Sequence, residues 1–198
     1  KQDHEVHYTR NINDEKILDC DFIILPSSII AHETELTALS KLENKKIFVT
    51  GIFANTMKDK YLKKNSIVVK NESDIFFFNL NKEGKLYHEF LDNLFVNKDL
   101  INDFYSPVAL DDLPFPDWFS YSKKFRLRND FFSLKEKIAI PILATRGCPY
   151  SCFFYCTYPL QQGRKVRARS IKNIISEIKY WQKKLGTNKF VFRDPVFS

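Results

Sequence analysis

The sequence predicts an α/β fold in two pieces. Three observations predict it. Between residues 21 and 84, short apolar runs alternate with helix-like stretches, the rhythm of a parallel sheet. Between residues 137 and 194, a strand-like run, a loop, a long amphipathic stretch and a second strand-like run follow in turn. Between them lies LDDLPFPDWF (110–119), punctuated by proline and rich in aromatic residues. A solvated linker would not spend Leu, Phe and Trp, so this stretch reads as an extended connection that docks. The domain boundaries that follow are 1–84 for a partial Rossmann-like domain, 85–136 for a helical and extended linker, and 137–198 for a second β/α piece.

The elements justify themselves in order. DFIILP (21–26) is a short apolar run closed by proline, a buried strand. SSIIAHETELTALSKLENKK follows. There Ser28 is expected to cap a helix whose apolar stripe is Ile29, Leu36, Leu39 and Leu42. KIFVTG (46–51) is a second buried strand closed by glycine, and SIVVKN (66–71) a third. ESDIFFFNLNKEG reads as a helix stopped by Gly84. KLYHEFLDNLFVNKDLINDF has the pattern of one or two helices. KIAIPILATRG (137–147) is strand-like and ends in glycine. Ser170 then caps a helix carrying Ile171, Ile174, Ile175, Ile178, Trp181 and Leu185 at helical spacing, with Gly186 as its stop. KFVFRD (189–194) is a last strand, brought parallel to its neighbour by the intervening helix. An upstream strand and helix are expected before this sheet. Both ends read as cut from a longer protein, with no initiator Met and a stop just after a strand.

Composition narrows the class. The chain has 198 residues and is 44% hydrophobic, enough for real cores. Nineteen Phe and only five Gly exclude collagen-like and low-complexity chains. No run of 18 apolar residues occurs, so no membrane span is predicted, and a cytoplasmic location is expected. The net charge is +7. From Gly163 to Asp194 there are ten basic and two acidic residues, so this segment's +8 exceeds the whole chain's charge. GRKVRARS (163–170) therefore has two readings, an anionic contact or a solvated approach to a helix. No nucleic-acid motif accompanies it, and a nucleic-acid partner is not expected.

The chemistry concentrates in RGCPYSCFFYCTYP (146–159). Three of the four cysteines, Cys148, Cys152 and Cys156, fall within nine positions. A disulfide uses two thiols. A structural zinc site wants four ligands, usually as separated pairs. No second pair exists here, and His4, His7, His32 and His88 all precede residue 89. An iron–sulfur cluster accepts cysteines from one compact loop, and three ligands leave one iron of a four-iron cluster open. The fourth thiol, Cys20, stands alone in an apolar stretch and reads as a small buried hydrophobe. The competing reading is a non-catalytic module with the three thiols on zinc and the basic segment on nucleic-acid phosphate.

The stretch ILATRGCPYSCFFYCTYPLQQGRKVRARSIKNIISEI resembles the start of a radical S-adenosylmethionine domain. It is most similar to the subgroup with an N-terminal cobalamin-binding domain. The shared features are the apolar strand, Arg-Gly-Cys-Pro, the cysteine triplet, the Arg-x-Arg-Ser helix entry and a following strand ending in Asp194. LDDLPFPDW resembles the linker before the barrel of that subgroup. LPSS and VTGIFAN resemble strand ends of its cobalamin domain.

The resemblance implies a partial TIM-type barrel beginning near residue 137. It also implies a [4Fe-4S] cluster on Cys148, Cys152 and Cys156. S-adenosylmethionine bound to the open iron is cleaved reductively to start radical chemistry, with methyl transfer through cobalamin as one outcome. Tyr155 matches the aromatic position that lies against the adenine, and Gly147 lets the chain turn into the loop. An electron donor such as flavodoxin or ferredoxin is implied, as is a small-molecule, lipid or sugar substrate. The family spacing is Cys-x3-Cys-x2-Cys. Here the second gap holds Phe153, Phe154 and Tyr155, one residue more. One residue adds at most about 3.5 Å of reach, which a bulge could take up, so the spacing does not forbid the cluster.

Other candidates carry two readings each. Ser27, Ser28 and Gly51 match regions around the cobalamin nucleotide tail, and equally suit a helix cap and a tight turn. Asp194 suits contact with S-adenosylmethionine or substrate, or a strand-end cap. His32 reads as an ordinary helix histidine. The Asp-x-His-x-x-Gly element that supplies a cobalt ligand in many such domains is absent from the sequence. The glycine-rich and acidic elements that the family uses later for S-adenosylmethionine do not occur before residue 198, so these residues alone are expected to turn over weakly or not at all.

Overall fold

A computed structural model describes residues 4–70, 72–120, 139–152 and 156–196. The chain divides into two compact units, Lys1–Pro107 and Val108–Ser198.

The first unit is built on a parallel three-stranded sheet, β1 (Ile23–Pro26), β2 (Ile47–Thr50) and β3 (Ser66–Val68), in the order β1-β2-β3. Ile23 pairs with Ile47, and Phe48 pairs with Ile67. All four residues of β2 are buried, as a central parallel strand covered on both faces requires. Alternate side chains of β2 feed two cores. Phe48 packs with Ile67, Val69, Phe76, Leu80, Leu91, Leu94, Ile101 and Phe104. Ile47 and Val49 pack on the other face with Leu39, Ala54, Tyr61 and Val68. The helices follow from this division. α2 (His32–Lys41), α3 (Ile52–Thr56) and α4 (Lys58–Tyr61) supply one core, and α5 (Ser73–Lys82) and α6 (His88–Val96) the other. A one-turn α1 (Lys16–Asp19) precedes β1. The arrangement is consistent with a Rossmann-like domain. The segment 88–104, expected in a linker, packs into the first unit's Phe48 core.

Two expectations for α2 fail. The helix starts at His32, so Ile29 lies outside it and is 70% exposed. Ser28 does not cap the helix. Its hydroxyl accepts from the Ala31 N–H, closing a turn one step earlier. Glu35 takes a buried place instead, accepting from the Ser28 N–H at 2.8 Å and the Tyr61 hydroxyl at 2.7 Å. Cys20 donates its thiol to the Ile17 carbonyl, and burial pushes the thiol above its usual range, as suits a structural residue.

The second unit centres on β4 (Ile140–Ile142) paired in parallel with β7 (Phe190–Phe192). The chain passes from one to the other through α8 (Ile171–Leu185). Before that helix, β5 (Thr145–Arg146) and β6 (Arg167–Ala168) form a two-residue antiparallel ribbon, and α7 (Tyr158–Gln162) lies between them. Ser170 caps α8 by accepting from the Asn173 N–H, and Gly186 ends it at φ 65°. Ile140, Ile142 and Trp181 form the core, with Phe115, Trp118, Phe119, Ile174, Ile178, Leu185 and Phe190 against it. The aromatic residues of 110–119 therefore dock.

The predicted helical stripe is narrower than expected, since Ile171 and Ile175 are exposed. Ile175 lies about a quarter-turn off the line through Ile174, Ile178, Trp181 and Leu185. Ile171 sits on the first turn of a helix about 22 Å long, whereas three-residue strands cover only about 10 Å. Among the described residues, no helix is long and apolar enough to cross a membrane.

Candidate metal centre at the cysteine loop

The cysteine loop leaves the carboxyl end of β4 through the bend Leu143–Ala144 and the short strand β5. Gly147 follows at φ 91°, a backbone that disfavours any side chain. It also lies against the returning chain, because a Cβ there would stand 2.1 Å from the Lys165 carbonyl oxygen. Hydrogen bonds staple the two sides together. The Cys148 N–H donates to the Gly163 carbonyl at 3.1 Å, and the Gly147 N–H donates to Gln162 Oε1 at 3.1 Å. The β5–β6 ladder pairs Thr145 with Ala168 and Arg146 with Arg167. Residues 147–166 thus form a loop closed at its base.

All three loop thiols are free of disulfides. Cys148 is buried beside the staple, Cys156 is half-buried and Cys152 is exposed. Among the described residues, no three His, Cys, Asp or Glu side chains are gathered tightly enough to hold a metal. Phe153, Phe154 and Tyr155 lie outside the described residues, and with them the expected adenine contact of Tyr155. As a donor set, three uncommitted thiols on one closed loop fit iron–sulfur chemistry, whose commonest protein ligand is the cysteine thiolate.

Residues 163–166 are exposed, yet several of the segment's cations make hydrogen bonds within the protein. Arg164 Nη1 donates to Ser151 Oγ at 3.0 Å and to the Tyr150 carbonyl at 3.4 Å, bracing the span between Cys148 and Cys152. Arg167 Nη2 donates to the Gln162 carbonyl at 3.0 Å. Arg169 pairs with the buried Glu177. These bonds occupy three of the segment's four cations within the protein.

Asp194 reaches the base of the same loop. Its Oδ1 accepts from both the N–H and the hydroxyl of Thr145, the latter at 2.6 Å. Its Oδ2 is buried and has no partner among the described residues. The strand-end cap is therefore realised, and it ties the end of β7 to the start of β5.

Ser27, Ser28 and Gly51 come together in the first unit, at the carboxyl ends of β1 and β2. The Ser27 N–H donates to the Thr50 carbonyl at 2.7 Å, and Ser27 Oγ accepts from the Ala54 N–H at 2.8 Å. Gly51 has φ 99°, and a Cβ there would meet the Ser27 carbonyl at 2.7 Å. The glycine thus lets the two strand-end loops touch. Ser28 is held by Glu35, whose partner Tyr61 is pushed well above the usual phenol range by burial and then by that carboxylate. His32 Nδ1 bonds the Ile29 carbonyl oxygen at 2.9 Å, and its ring lies 5.2 Å from that of Phe53, a packing role.

Sequence reasoning missed Gln162, Thr145 and the Arg169–Glu177 pair. One signal was available for the last. Glu177 sits between Ile174 and Ile178 and Trp181 in an otherwise apolar stripe, which demands a buried cation nearby.

No protein-family profile matches the chain. Parts of it are similar to known methyltransferases. It is 45% identical over 61 residues to the bacteriochlorophyllide d C-12(1)-methyltransferase of Chlorobaculum tepidum, covering 30% of this chain and 13% of that protein. It is 32% identical over 57 residues to an uncharacterized methyltransferase of Pyrococcus horikoshii, covering 29% of this chain and 12% of that protein. It is 28% identical over 89 residues to the cytidylyl-2-hydroxyethylphosphonate methyltransferase of Streptomyces wedmorensis, covering 43% of this chain and 16% of that protein. The aligned stretches therefore cover less than a fifth of each relative's own length.

Proposed function

We propose that the chain carries the cofactor-binding loop of a radical S-adenosylmethionine enzyme that transfers a methyl group. The carrying observation is the cysteine loop itself, three free thiols on one strand-end loop whose sides are stapled by hydrogen bonds. Similarity to methyltransferases supports an enzyme of that reaction class. Ligands of parallel α/β folds gather at the carboxyl ends of strands, which is where the loop lies.

When bound, a [4Fe-4S] cluster supplies an open iron for S-adenosylmethionine and an electron for its sulfonium. The chain's own residues bind and orient. Cys148, Cys152 and Cys156 would hold the metal, with Cys148 positioned by its staple. Gly147 allows the close backbone approach that seats it. Tyr155 is the residue proposed to meet the adenine, and Asp194 steadies the loop's first strand. Cobalamin is the second proposed cofactor, bordered by the strand ends that carry Ser27, Ser28 and Gly51. A flavodoxin- or ferredoxin-type protein is the proposed electron donor.

Anaerobic reconstitution with iron and sulfide tests the reading. The expected product is brown, with about four irons per chain, and substituting the three cysteines by alanine abolishes the colour. A colourless protein that takes up one zinc in place of iron would overturn it.

A further inference from the structure

We propose that Arg169 is a positioning residue for the cysteine loop, acting through the bend Leu143–Thr145 that launches it. The inference rests on reading that loop as a metal-binding element. The bend offers two carbonyls, and Arg169 takes both. Its N–H donates to the Ala144 carbonyl at 2.9 Å, and Nη1 donates to the Leu143 carbonyl at 3.0 Å. The rest of the guanidinium is held rigidly. Nη1 also meets Glu177 Oε2 at 2.5 Å, and Nε meets Asn173 Oδ1 at 2.7 Å. Asn173 is itself fixed, donating its side-chain amide to the Asp111 carbonyl at 3.2 Å. The plane of the guanidinium lies 5.8 Å from the Phe115 ring centre. Asp194 in turn grips Thr145. The bend is thus clamped from α8 and from the end of β7, two residues before Gly147 and its staple.

The burial of this pair marks it as a geometric device. The Arg169 side chain is 12% exposed and that of Glu177 1%. Desolvating both charges offsets most of their attraction, so an apolar pair of similar volume would give comparable stability. What the pair provides is a single geometry, because the planar fork meets a carboxylate, an amide oxygen and a carbonyl together. A lysine ammonium on a flexible stem does not reproduce that. The sequence places the pair at Arg169 and Glu177, eight residues apart, so the helix that crosses between the strands also sets the direction in which the cysteines leave.

The test reads the metal-free, reduced full chain. Iodoacetamide labelling is followed residue by residue, with Cys20 as internal reference. In the wild type, buried Cys148 labels slowly. Arg169→Lys keeps a charge for Glu177 but gives up the fork, and is expected to raise Cys148 labelling about tenfold with Cys20 unchanged. Asn173→Ala, which removes one acceptor, is expected to raise it several-fold and serves if Arg169→Lys fails to fold. Ile178→Val loosens the same helix without touching the bend, and is expected to leave the ratio of Cys148 to Cys20 labelling as in the wild type. Unchanged Cys148 protection in both bend variants would overturn the proposal. So would an equal loss of protection in Ile178→Val. Failure of the wild type to take up iron would sink the metal reading, and the labelling would still decide whether Arg169 sets the loop's geometry.

Discussion

Replacing Gly147 by alanine is the sharpest perturbation of the loop. The new Cβ would stand 2.1 Å from the Lys165 carbonyl oxygen and 2.8 Å from its carbon. Ordinary contact begins at 3.4 Å, so the two backbones must part by roughly 1.3 Å, the difference between 3.4 and 2.1 Å. The staple bonds at Gly147 and Cys148, each 3.1 Å long, do not survive such a shift. Two lost hydrogen bonds, one to the Gly163 carbonyl and one to the Gln162 side chain, cost about 2 kcal/mol. Holding alanine at φ 91° costs about another 1–2 kcal/mol. A local penalty of about 3–4 kcal/mol exceeds what a small surface loop recovers by relaxing. Gly163→Ala is the control, because φ there is 78° but nothing lies within 4 Å of its Cβ. It carries the conformational cost alone, about 1–3 kcal/mol for an extended backbone at positive φ. The assay is iron per chain after anaerobic reconstitution, alongside a thermal melt. Gly147→Ala should bind less than half the wild-type iron, while Gly163→Ala should retain most of it. Equal iron content and equal melting in Gly147→Ala and the wild type would refute the reasoning.

The remaining predictions concern stability. Trp181→Ala removes the largest fully buried side chain and should cost about 3–5 kcal/mol in urea unfolding of the second unit. Ser170→Ala removes the hydroxyl that caps α8 and should cost about 1 kcal/mol by the same measurement. Tyr61→Phe strips a buried donor from Glu35 and should destabilise the first unit by about 1–3 kcal/mol, whereas Thr37→Ala, at an exposed site, should be nearly neutral. The Thr9 hydroxyl and the His7 ring hold Asp14 down at about 2, against an ordinary 3.8. A depressed carboxylate stabilises above its unfolded value and loses that contribution as pH falls through the folded one. Asp14→Asn should therefore melt less steeply with falling pH between those two values than the wild type does, and identical slopes would refute the assignment.

Legibility differed between residues for physical reasons. β2 and β3 were readable because strands buried on both faces are short apolar runs closed by turn residues, whereas β1, equally apolar in sequence, lies at the sheet's edge with Ile24 47% exposed and is not the buried strand expected. The cap Ser170 and the stop Gly186 were readable because helix ends have local chemistry. Ile29 was misassigned because its spacing matched the stripe, while Ser28 and Glu35 moved the start of the helix to His32. Ile175 was misassigned because counting apolar residues does not fix the width of the face they make.

Local patterns along the chain specify the alternation of strands and helices, the aromatic connection and the concentration of thiols in one loop. Periodicity, capping and ligand chemistry are properties of neighbours in the chain. Only the tertiary structure decided that Gly147 lies against Lys165, that Gln162 and Gly163 staple the loop, and that Arg169 and Asp194 grip its bend from two sides. Those partners lie from 15 to 49 positions apart, and hydrogen bonds over such separations depend on where β4, α8 and β7 come to rest.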